Sequence, residues 1–180
     1  MTSQQANSPD APSAGPWPAR ALRLLVHGTG DSLTAWRVVT VVARVALAAA
    51  FLSAVADRFG LWGEAGTGSV AWGTFDTFVG RTHDLTPYLS GRALRAAAVG
   101  GTVAELGLGL ALLLGVALRW SAWLSAGLLA VFGLSMFVFV GPQAPLVYSV
   151  FSGLAAATML AMAPRGSLVL TVDDLVTGRR

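Results

Sequence analysis

Apolar positions in this chain come in long unbroken runs, without the alternation of a half-buried strand or the one-sided stripe of a soluble helix. From Ala96 to Leu118, 23 residues are apolar or small, with Glu105 the one ionisable exception. The hydrocarbon core of a bilayer is ~30 Å thick and a helix rises ~1.5 Å per residue, so this run is long enough to cross. Three further runs have the same character, which predicts four spans at 35–57, 93–118, 120–140 and 145–163. The first has Arg37 at its entrance, Arg44 inside and Asp57-Arg58 at its exit. Arg119 alone separates the second span from the third, so these two should be antiparallel neighbours. Gly141-Pro142-Gln143-Ala144-Pro145 is an uncharged turn before the fourth.

Polar patterning places the rest. Residues 1–19, with four prolines and no apolar period, predict a disordered tail. Residues 20–34 form a juxtamembrane segment broken at Gly28-Thr29-Gly30, with Asp31 or Ser32 as a helix cap. The longest loop, 57–92, carries Trp62, Trp72, Phe75, Phe78 and Tyr88, and Val70–Val79 predicts a short amphipathic helix at the membrane interface. Thr86-Pro87 is a helix-start signal, so the second helix should begin near Pro87 and reach ~48 Å. Residues 164–180 form a polar C-terminal tail. The expected architecture is all-α: a four-helix transmembrane bundle over 35–163, with an interfacial loop and short helix between helices one and two.

Composition agrees and narrows the function. The chain is 54% hydrophobic and 12% charged, about half the charge of a soluble domain. Its net charge of +3 comes from scattered arginines that mostly flank the apolar runs, with no lysine, so a nucleic-acid partner is excluded. Four spans put both termini and the Arg119 turn on one side, with seven arginines against four on the other. The positive-inside rule then makes both termini cytoplasmic, in a cell membrane. The absence of cysteine removes disulfides, thiolate metal sites and CxxC redox chemistry. Neither histidine lies in a span, which excludes a buried bis-His haem, and no cluster has metal-ligand spacing.

Arg44 and Glu105 are the two ionisable residues inside the predicted spans. Such a charge costs about 2.5–3.5 kcal/mol on insertion scales and is a functional hypothesis by default. Counted from the outer anchors Asp57 and Arg95, they lie ~20 Å and ~15 Å deep, which predicts an Arg44–Glu105 ion pair. The pair serves either to fix helix docking or as a polar centre for a ligand, a proton or a quinone head group. Gly101 and Gly109 share the face of Glu105, while Gly107, Ala111 and Gly115 form a second small-residue stripe suited to close helix packing. Asp57, Arg58, Trp62, Trp72, Tyr148, Ser149 and Ser152 are candidates for a ligand cavity above the pair, opening outward. No catalytic residue is assigned.

At Arg44 with Ala50-Phe51-Leu52, then Asp57-Arg58-Phe59-Gly60-Leu61-Trp62-Gly63, Glu105-Leu106-Gly107-Leu108 and Pro145-Leu146-Val147-Tyr148-Ser149-Val150-Phe151-Ser152, the sequence resembles the DoxX family, especially its actinobacterial-type members. It covers roughly residues 36–163. Val147 and Gln143 stand where an acidic residue, or a basic residue ahead of the proline, is common in the last motif. The resemblance implies a four-helix membrane bundle whose helix-one arginine and helix-two glutamate map onto Arg44 and Glu105. Its members include a quinone-reducing thiosulfate dehydrogenase subunit and a partner of thiol and superoxide detoxification enzymes. The expected function is therefore a membrane subunit of a redox or oxidative-stress system, with a quinone as candidate ligand and a redox-enzyme subunit or a second copy as candidate partner. The alternatives are a non-catalytic lipid-binding or scaffold protein and a small transporter element.

Overall fold

The computed structural model describes residues 32–164 and 166–173, and every regular element among them is helical. The elements are α1 (Ser32–Arg58), α2 (Phe75–Leu85), α3 (Gly91–Leu114), α4 (Leu118–Ser135), α5 (Gln143–Val147) and α6 (Val150–Ala161). α4 continues through one wider π turn, Met136–Val140. The expectations for residues 1–31, Arg165 and 174–180 lie outside the described residues. Three helices, Leu33–Arg58, Gly91–Leu114 and Leu118–Val140, are long and apolar enough to cross a membrane.

Their packing is inverted relative to a soluble core. Large apolar side chains such as Val42, Val103, Leu124, Val131 and Phe137 point outward. The interior is built largely from small ones, with Ala48, Ala98, Ala122, Ala126, Ala157 and Ala161 all buried. Only 17% of the most apolar stretch within Leu118–Val140 is buried within the chain. Water would penalise so much exposed apolar surface, whereas lipid does not, and small residues then let helices approach. Leu47 and Phe51 of α1, Leu112 of α3, Leu118 of α4 and Leu160 of α6 knit these alanines, Ala98 apart, into one cluster.

Local chemistry sets the element ends, and several differ from expectation. Thr86-Pro87 starts no helix. Thr86 ends α2, and Leu89 N–H donates to Thr86 O at 2.9 Å, so Pro87 occupies the second position of a turn, where its fixed φ is equally at home. α3 starts at Gly91 and is shorter than the expected ~48 Å. The interfacial helix forms at Phe75–Leu85, later than 70–79, because Thr74 caps it by accepting from Thr77 N–H. The α3–α4 turn is made by Gly115 rather than Arg119. Gly115 is left-handed (φ 72°), and Val116 N–H donates to Ala111 O while Gly115 N–H donates to Leu112 O, a Schellman motif. The fourth apolar stretch breaks at Tyr148-Ser149, where Ser149 has φ 54°, into α5 and a 12-residue α6. By itself α6 is only ~18 Å long.

The register of α1 on α3 positions the site. The two are antiparallel: Phe51 and Leu52 face Gly109, Arg44 reaches Gly115, and Arg58 meets Thr102 and Glu105. α1 therefore ends level with 102–105, while α3 begins at Gly91. That difference of 11 to 14 residues leaves α1 ~17–21 Å short of the N-terminal end of its neighbour. The segment 59–74 and α2 fill the gap. α2 packs on the first turns of α3, where Arg95 lies 3.3 Å from Asp76 and over the Phe75 ring.

Candidate functional site

Asp57 sits in the last turn of α1, where backbone carbonyls point onward and a carboxylate gains nothing from the helix dipole. Its partners come from the segment that follows. Ala71 N–H donates to Oδ2 at 2.9 Å, Gly73 N–H to Oδ1 at 3.1 Å, and Trp72 N–H makes a longer 3.4 Å contact to Oδ1. The segment thus curls around one carboxylate and satisfies its own backbone in doing so. Gly73 makes the curl possible: its φ is +63°, and a Cβ there would lie 2.5 Å from Ala65 N.

The curl delivers an aromatic roof onto Arg58. The guanidinium carbon lies 3.7 Å from the Phe78 ring centroid and 5.2 Å from that of Trp72, and the two rings meet edge to face at 5.4 Å. Below the roof, Arg58 Nη1 donates to Thr102 Oγ1 at 2.8 Å, and Nη2 lies 2.6 Å from Glu105 Oε2. Thr102 donates onward to Ala98 O at 2.9 Å. Arg58 is 2% exposed and Glu105 3%. The Nη2–Oε2 contact is short and charge-assisted, while Arg58 Nε is buried with no hydrogen-bond partner. The cluster is a desolvated ion pair with one donor uncommitted.

The Arg–Glu pair exists, but its arginine is Arg58 and the expected Arg44–Glu105 pair is not made. The depth count assumed that Asp57 and Arg95 are level, whereas the register sets Asp57 near Thr102–Glu105. Arg44 is 14 residues earlier, ~21 Å along α1. It turns the other way, donating from Nη1 to Val169 O at 3.2 Å, with its Nε buried and unbonded. Three more side chains hold the same chain end: Arg37 on Gly166 O, Thr40 on Ser167 O and Arg119 on Ala163 O. A long cationic side chain reaching towards a helix-bundle end is the usual answer to a charge in a span.

The remaining candidates divide. Asp57 and Arg58 are in the site. Trp62 is exposed, and its Nε1–H donates to Ser53 O at 3.1 Å, which lays the indole along the outside of α1. Tyr148 and Ser149 are also exposed, and no hydrogen bond joins them to the buried cluster. The outward cavity expected from these three is not assembled. Gly109 is a packing residue, since a Cβ would stand 3.0 Å from Leu52. At Gly101 a Cβ would lie 3.6 Å from Phe132 of α4. Gly107 is exposed and faces open space, Ala111 is half-buried and Gly115 is a cap, so the second stripe is not one packed face.

Thr102 and Phe78 were not singled out from sequence, whereas Trp72 was a cavity candidate and does stand over Arg58. Thr102 was legible, because it stands three residues before Glu105 and so on the same helix face. The roof was not, because it depends on a loop closing over a helix end. Among the described residues no group of three or more His, Cys, Asp or Glu could hold a metal ion. Comparison with family models, with curated proteins and with solved structures finds no match to this chain.

Proposed function

We propose that this is a DoxX-like four-helix protein of the cell membrane, with cytoplasmic termini, acting as the membrane subunit of a redox or oxidative-stress system. α5 and α6 together make the fourth crossing, as a broken helix. The ligand is a small hydrophobic molecule with a polar head, a quinone, held at Arg58 and Glu105. One observation carries the reading: a buried ion pair within apolar helices keeps a free donor, Arg58 Nε–H, beside the Glu105 carboxylate. Such leftover capacity costs ~1–3 kcal/mol per group and persists where it is used. The residues suit a quinone head: Arg58 Nε–H is a donor for a ring carbonyl, and the Glu105 carboxylate has lone pairs beyond its Arg58 contact for a ring hydroxyl. When bound, such a group supplies the electron and proton chemistry, and the protein orients it and excludes water.

The test is native mass spectrometry of protein purified from quinone-containing membranes. Wild type should carry co-purified quinone, Glu105→Gln less, and Arg58→Gln none. Quinone bound equally by all three refutes the site. A second reading rests on the Asp57 carboxylate and the Phe78–Arg58 stack, which together fasten the outer segment to α1 and α3. In that reading the cluster is a clasp in a non-catalytic binding or scaffold protein. No quinone on wild type, with the outer segment released in Arg58→Gln, selects it.

A further inference from the structure

The other end of the molecule carries a separate feature. α1 and α6 diverge there and leave a groove in two contiguous parts, about 530 Å³ and about 180 Å³, which share Trp36 and Met159. Its floor is alanine, Ala43 from α1 and Ala156 from α6, so the width comes from missing side chains. Its walls include Met159 and Met162, 57% and 68% exposed, flexible groups that mould to an irregular apolar occupant. Trp36 and Thr40, one helical turn apart, line it along α1, which makes it a channel parallel to the helices.

The mouth is cationic. Pro164 borders the groove, and two residues on, Gly166 O accepts from Arg37 Nε at 3.2 Å. That bond fixes one edge of an exposed guanidinium. Its two terminal amino groups make no hydrogen bond among the described residues and remain a forked donor set. A tryptophan at the rim and an arginine beside it are the side chains that settle at the level of lipid head groups. An apolar channel along the bundle, ending at a tethered, outward-facing arginine, is complementary to one molecule already present in any membrane. We propose that the α1–α6 groove binds an anionic phospholipid, with an acyl chain against Trp36 and Met159 and the phosphate at Arg37. The occupant is a lipid of the leaflet that meets the N-terminal end of α1.

Brominated lipids quench tryptophan by contact and so report the groove directly. Wild type and Trp36→Phe are reconstituted with brominated phosphatidylglycerol or brominated phosphatidylcholine, and the difference between the proteins isolates the Trp36 signal. The brominated phosphatidylglycerol should be preferred about fivefold, the effect of ~1 kcal/mol for one arginine near an anionic surface. The preference should shrink in molar salt, which needs no mutation. Arg37→Gln should abolish the preference and leave quenching by both lipids, while Ala156→Leu should weaken quenching by both. Equal quenching by the two head groups in wild type overturns the proposal. So does a preference that survives salt or Arg37→Gln. Trp36 quenched by neither lipid also overturns it, and means that another part of the chain or a second copy fills the groove.

Discussion

Removing either member of the Arg58–Glu105 pair should destabilise the protein, but unequally. Arg58 has four kinds of partner: Glu105, Thr102, the Phe78 face and the Trp72 face. Glu105 has only the Arg58 contact among the interactions described. In Glu105→Gln the guanidinium keeps Thr102 and both rings, and the amide oxygen still accepts, so the loss should be about 1–2 kcal/mol. In Arg58→Gln a carboxylate 3% exposed is left unpaired, which typically costs about 3–5 kcal/mol, and the lost cation–π contacts add about 1–2 kcal/mol. In the double variant neither charge of the pair remains, so it should be less damaged than Arg58→Gln alone. The coupling should be about 2 kcal/mol, the size expected for residues in one network. Tryptophan fluorescence against denaturing detergent, in mixed micelles, gives the four free energies. A parallel cycle between Arg44 and Glu105 should be additive within ~0.5 kcal/mol, since the register holds them far apart. Coupling in the Arg44 cycle, or none in the Arg58 cycle, refutes the pairing and the register together.

Two further outcomes follow from the backbone. Asp57→Ala strips the acceptor from Ala71, Trp72 and Gly73, so protease cleavage within 59–74 should accelerate at least tenfold, given ~1–3 kcal/mol for each donor left unmet; unchanged cleavage would falsify the clasp. Gly115→Ala should lose more than ~1 kcal/mol, because its φ is +72° and a Cβ would stand 2.8 Å from Thr171 Cα, whereas Gly107→Ala, with open space around it, should gain up to ~1 kcal/mol from helix propensity. Thermal unfolding in detergent measures both, and equal effects would refute the packing assigned to them.

Hydropathy made the apolar helices legible because a bilayer permits little else over ~20 residues. Glu105 and Asp57-Arg58 were legible as anomalies in that pattern. The identity of the partner was not, because it depends on relative helix depth, and depth was taken from charged residues assumed to sit at the interface. Arg58 violates the assumption: it ends a helix yet is 2% exposed, since 59–74 and α2 close over it. The same closure made Thr86-Pro87 a turn and moved the short helix to Phe75–Leu85. Trp62 and Tyr148 failed as site residues for a related reason. An aromatic residue near an interface serves equally well facing lipid, and sequence spacing does not say which way a loop folds.

An early stop in α1 has a physical consequence for where polar chemistry can sit. A helix that ends inside a bundle leaves its last carbonyls and any terminal charges without water, so other groups must come to them. Here the covering segment supplies backbone donors to Asp57, and α2 supplies a ring to Arg58. α3 then need provide only Thr102 and Glu105, one turn apart, to complete a buried polar layer. A full-length α1 would instead carry Asp57-Arg58 out to solvent and leave Glu105 alone in hydrocarbon, at a cost of about 2.5–3.5 kcal/mol. The glutamate and the truncated helix therefore belong to one design. A variant with helical residues inserted ahead of Asp57, which carries Asp57-Arg58 past Glu105, should show a higher unfolding temperature in detergent with Leu at 105 than with Glu, the reverse of the wild-type preference for its ion pair.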